Sequence, residues 1–110
     1  MEVTFTGSVV EWRGPAPYWF LAVPVEDSED IKEAARGLEY WGQVAVEVRL
    51  GDTTFTTALF PKDGRYLVPL KVAVRKAAGL TAIEEGVALT VTLRLTGRPG
   101  GGGPGDSGPG

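Results

Sequence analysis

The chain has 110 residues, 43% of them hydrophobic and 23% charged, with a formal net charge of −3 and a pI near 4.9. That is the size and balance of one soluble domain with one modest core, and no apolar run approaches the roughly 20 residues needed to span a bilayer. Zero cysteine and zero histidine remove the thiolate nucleophile, the commonest general base and the usual zinc ligands together.

Near the front, Val3, Phe5, Gly7 and Val9 alternate with polar or small residues, which predicts a half-buried strand. After the Arg13-Gly14-Pro15 turn signal, the apolar run Tyr18 to Val23 predicts a second strand, stopped by Pro24. The segment Asp27 to Gly37 then changes period. Ile31, Ala34, Ala35 and Leu38 recur at helical spacing, Asp27 or Ser28 can cap, acids fill the first turn, and Arg36-Gly37 ends the helix.

Val44, Val46, Val48 and Leu50 restore period two and lead through Gly51-Asp52 into Thr53 to Phe60. A Gly-x pair between two strands predicts a two-residue type II′ hairpin, with Phe55 and Leu59 on one face. A Pro61 to Gly64 turn introduces a short strand, Arg65 to Val68. Leu70 to Ala78 is predicted as a second helix with Leu70, Val74, Ala77 and Ala78 on one stripe and Lys71, Arg75 and Lys76 outside it; Val72 falls on the charged side. The last strand, Val87 to Leu95, alternates cleanly.

Residues 1–96 thus form the expected domain. Gly97 to Gly110 holds eight glycines and three prolines among fourteen residues, too little apolar surface to offset its ordering entropy, and predicts a disordered tail. Its formal G-x-G-x-x-G match has no strand-to-helix turn around it, so no dinucleotide site is expected. Six short strands with two short helices predict a mainly β fold, a six-stranded closed or split antiparallel barrel whose open ends the helices plug.

The phrases FTGSVVEW, PYWFLAVP, WGQVAVEVRLGDTTFTTALFP and GRYLVPLKVAVRKAAGL, in this order over residues 3–95, resemble the bacterial domain-of-unknown-function family numbered nineteen-oh-five. Leu59-Phe60-Pro61 and Val74-Arg75-Lys76 carry the resemblance most specifically. It implies a small double-split β-barrel of the AbrB-like class, often beside a YdeI/OmpD-associated domain, with no established activity. Where the family usually has Gly-Asp before its last strand, this chain has Glu85-Gly86.

Charge is segregated along the chain. Lys62, Arg65, Lys71, Arg75 and Lys76 face Asp63 alone between Pro61 and Gly79, whereas six acids face two cations between Pro24 and Tyr40. Charged helix faces are commonly just solvated, and the two fields can also face each other across the fold. The functional reading is an anion site at the start of the second helix, with Lys71, Arg75, Lys76 and Arg65 as donors. If the site is a pocket, Trp19, Tyr40, Trp41 and Tyr66 are its lining candidates, although filling a small barrel interior would also employ aromatics. Consecutive aromatics such as Tyr18-Trp19 must point one ring outward from a strand.

The expected function is therefore a non-enzymatic binding module for a small anionic or amphipathic ligand or a protein partner. A carboxylate-only hydrolase or an oxygen-ligated magnesium site stays open, but no catalytic residue, metal or cofactor is assigned. The AbrB-like resemblance suggests nucleic-acid binding as the alternative, against which the acidic pI argues. The opening residues lack the pattern of a secretory signal, so a cytoplasmic location away from membranes is expected.

Overall fold

The computed structural model describes residues 1–13, 15, 17–39, 42–80 and 82–96. The predicted tail and the lining candidates Tyr40 and Trp41 lie outside the described residues.

Six strands form a closed antiparallel barrel in the order β1-β2-β5-β4-β3-β6: β1 (Glu2–Arg13), β2 (Pro17–Ala22), β3 (Val44–Leu50), β4 (Thr53–Lys62), β5 (Arg65–Pro69) and β6 (Ala88–Leu95). Helix α1 (Val25–Ala34) links β2 to β3, and α2 (Val72–Ala77) lies between β5 and β6. Because every pairing is antiparallel, each connection sits at a definite end of the barrel. The β4–β5 turn and α1 share one end; the β1–β2 and β3–β4 hairpins and α2 share the other.

Period-two alternation makes the inside. Phe5, Val9, Leu21, Val44, Val46, Val48, Leu59, Val68, Val91 and Leu93 point to a common centre and are buried, nine of these ten at 2% exposure or less. The predicted hairpin is present: Leu50 pairs with Thr53, and Gly51 alone of the two loop residues has positive φ, at 60°, as a type II′ turn requires. The following turn is tighter than expected. Pro61 and Lys62 belong to β4, and Asp63 and Gly64 form the loop with φ of 54° and 82°, the signature of type I′.

Helix α1 departs from its sequence reading at both ends. It starts earlier, with Pro24 as N-cap and no side-chain cap, because the fixed φ of proline already suits that position and the Pro24 carbonyl accepts the Ser28 N–H at 2.8 Å. Ser28 is instead 3% exposed inside the fold. Its Oγ donates to the Val23 carbonyl at 3.3 Å and accepts the Tyr66 backbone N–H at 3.0 Å. Ser28, Ile31 and Ala35 make the buried stripe, while Ala34 and Leu38 are exposed. The serine thereby ties α1 to β5 and seats Ile31 and Ala35 against the core. Ser28→Ala would strand a buried N–H, so urea denaturation should show a loss of about 1–3 kcal/mol; an unchanged midpoint would mean the bond carries nothing.

Helix α2 is shorter than predicted and does not plug the barrel. It buries no residue, and Val72 is 55% exposed. Leu70 precedes the helix, 2% exposed, with its N–H donated to the Trp19 carbonyl at 2.9 Å. Leu70 therefore closes this end, together with Trp19, Leu50, Phe55 and Ile83 packed against the core. The α2 backbone is fastened to β4 by Thr53, whose hydroxyl donates to the Ala77 carbonyl at 3.1 Å.

Candidate functional site

The outer wall of the barrel has two characters. On the β1–β6 seam, Thr4 pairs with Thr92 and Thr6 with Thr90 through hydroxyl hydrogen bonds of 2.8 and 2.7 Å, and Arg94 bridges to Glu47 on β3 at 3.2 Å. This wall is polar and solvated. Across β1, β2, β5 and β4 the outward positions are apolar instead. Val10 is the register partner of Phe20, Ala22 of Leu67, and Leu67 of Phe60, so four neighbouring strands contribute to one patch.

These side chains form a second cluster, separate from the interior, in which Phe20, Ala22 and Leu67 are 8%, 5% and 7% exposed. The rings of Phe20 and Phe60 meet edge to face at 5.1 Å between centroids, a favoured arrangement for aromatic pairs. The cluster floors a groove of about 520 Å³, within the range of small-ligand sites.

The groove has a direction. Towards the α2 end stands Trp12, 54% exposed and stacked on Tyr18 at 6.0 Å with 26° between the planes. Towards the α1 end stand Lys62 and Arg65, register partners flanking the Asp63-Gly64 loop; period two puts them on the same outer face as Phe60 and Leu67. From the Tyr18 row to the Arg65 row is about six residues of strand, roughly 20 Å.

Charges along the groove are unequally committed. Glu11 accepts from Arg13 Nε at 3.3 Å, and Asp63 lies 4.0 Å from Lys62 Nζ. Among the described residues, Arg65 has no ion pair and is exposed. The acids of α1 lie at this same end, but among the described residues none comes within ion-pair distance of Lys62 or Arg65.

The residues singled out by sequence do not converge on one place. Arg65 borders the groove. Lys71, Arg75 and Lys76 lie at the opposite end, separated from Arg65 by the length of β5. Arg75 is engaged with its own turn: Nε donates to the Leu70 carbonyl at 3.0 Å, and its backbone N–H to the Lys71 carbonyl at 2.9 Å. Trp19 packs against the interior core, and Tyr66 is buried in it. Burial raises the Tyr66 phenol above its ordinary pKa of 10.0, and the negative charge of Glu39 adds to the rise.

The groove residues Val10, Trp12, Phe20, Phe60, Lys62 and Leu67 were not among the sequence candidates. For Val10, Phe20, Phe60 and Leu67 the signal was present as doublets and triplets, Val9-Val10, Phe20-Leu21-Ala22, Leu59-Phe60 and Tyr66-Leu67-Val68, where alternation gives way to continuous apolar runs. Such runs mark strands covered on both faces.

A sequence model of the family described as Domain of unknown function (DUF1905) matches residues 5–93, most of the chain. The chain belongs to this family. No curated protein matches it. The DUF1905 match begins with Phe5 in β1 and ends with Leu93 in β6, so the family unit is the closed barrel itself. Two segments within the matched range fall on different sides of the barrel: Leu59-Phe60-Pro61 supplies the floor ring of the groove, and Val74-Arg75-Lys76 lies on α2. Among the described residues no three carboxylates are grouped to hold a metal, and no helix is long and apolar enough to cross a membrane.

Proposed function

We propose that this DUF1905 domain is a non-enzymatic binding module that takes a small amphipathic molecule in the groove on its outer wall. One observation carries the reading. Outward positions on four adjacent strands, which on a solvated wall would be polar, carry Val10, Phe20, Ala22, Leu67 and Phe60 in matched register. Packing among these side chains leaves an open trough with an aromatic wall at one end and cations at the other. Apolar surface arranged in a concavity with a few polar groups at its margin is what a small-ligand site consists of.

The alternative of nucleic-acid binding lacks comparable support, because the cations that sequence places close together stand at two ends of the barrel and, among the described residues, form no continuous basic track. Titrating isotope-labelled protein with 6-phenylhexanol, 6-phenylhexanoate and 6-phenylhexylammonium should move amide signals of Val10, Phe20, Phe60 and Leu67. Signals of Thr4, Thr6, Thr90 and Thr92 on the polar wall should stay in place. Silence at the groove with all three compounds would end the proposal.

A further inference from the structure

The polarity along the groove defines more than an apolar body. We infer that its ligand is an elongated amphipathic monoanion, an arylalkyl or acyl carboxylate, lying along the strands with its apolar end towards Trp12 and its carboxylate on Arg65. This inference rests on the groove being the binding site.

Three features of the geometry combine. The floor from Phe20 to the Arg65 row covers about four residues of strand, roughly 13 Å, which suits an extended chain better than a compact ring system. The stacked Trp12 and Tyr18 offer an aromatic boundary at the far end, where a hydrocarbon or aryl terminus is favoured over a charge. Of the two acids that border the groove, Glu11 at the far end is beside Arg13 and Asp63 at the near end is beside Lys62, whereas Arg65 has no ion pair among the described residues.

A guanidinium presents two parallel N–H donors that match a carboxylate. Placed beside the apolar surface of Leu67 and Phe60, Arg65 can hold the head group while the chain lies on those side chains. Lys62, already near Asp63, adds a longer-range attraction. The acids of α1 oppose it, and at physiological ionic strength they are screened beyond about 8 Å.

Dissociation constants for the three matched compounds, measured at physiological salt, test the charge. The carboxylate should bind about fivefold tighter than the alcohol, as a well-placed but exposed ion pair allows, and the ammonium should bind weakest. Arg65→Gln should bring carboxylate and alcohol to within about twofold of each other, while Arg75→Gln at the opposite end leaves the preference intact. Equal affinities for the three compounds, with groove signals still moving, would overturn the anionic assignment and leave the groove standing. Retained preference in Arg65→Gln would overturn the role of Arg65. Absence of binding by any compound would remove both readings together.

Discussion

Replacing Leu93 with alanine should lower the unfolding free energy by about 2–5 kcal/mol. Leu93 is 0% exposed and lies on β6 between its register partners Val3 on β1 and Val48 on β3. The lost transfer energy of the side chain is only part of the effect. The strands on either side are hydrogen-bonded into a closed ring and cannot slide inward to fill the void, so the cavity term persists. Thr92→Ala one residue away, on the polar wall, removes a single exposed hydroxyl pair and serves as the control, expected within about 1 kcal/mol of wild type. Urea denaturation should show a shifted midpoint with an unchanged slope for Leu93→Ala. A loss no larger than that of the control would mean the centre of the barrel is not packed as described.

The second large effect is expected from the smallest change. Glycine within a strand is ordinarily unfavourable by roughly 0.5–1 kcal/mol relative to alanine, so Gly7→Ala would stabilise an average strand. Gly7 is buried at the point where β1 leaves its pairing with β6 and takes up pairing with β2. A methyl group built there would run into the carbonyl oxygen of Ala22 and come within 3.3 Å of Leu21 Cδ1. The obstacle is backbone, which cannot turn aside as a side-chain tip can. Overpacking of this kind costs about 1–3 kcal/mol, and more when a main-chain shift is forced. The net result should be a loss near 3 kcal/mol, a fall of about 12 °C or more in the melting temperature of a domain this size. A melting temperature at or above that of wild type would show that β1 does not approach β2 so closely.

These two positions also show how far the sequence could be read. Leu93 sits in an unbroken alternation, and its inward orientation follows from period two alone. The same rule recovered β3 and, with the Gly-x turn signal at Gly51-Asp52, the type II′ hairpin and the barrel class. Gly7 was visible only as one more small residue in an alternating run, since its reason lies in a neighbouring strand that no local pattern names. Pairings of distant segments, β1 with β6, β2 with β5 and β3 with β6, are likewise decided by closure of the ring. The start of α1 escaped because Pro24 does the capping, which left Ser28 free for a bond to a residue 38 positions away.

The candidate site was less legible for a related reason. Arg65 stood out by charge and borders the groove, but it was grouped with Lys71, Arg75 and Lys76 because they are close along the chain. An intervening strand carries those cations to the opposite end, so proximity in sequence became separation in space. Aromatic residues were weighed by type, and the fold sorts them by parity. Trp19 turns inward while Tyr18 and Phe20 on either side of it turn out.

Closure of the ring by its first and last strands brings the beginning and the end of the barrel to one spot, where the Leu95 N–H donates to the Met1 carbonyl at 3.2 Å. A unit whose two ends leave side by side can be spliced into a surface loop of a host protein, or re-ended elsewhere by circular permutation, without pulling its strands apart. The same geometry delays assembly. The seam between residues 2–8 and 88–94 joins segments eighty or more positions apart, so the ring is completed only after a large loss of chain entropy has been met, which marks this barrel as a slow folder for its length.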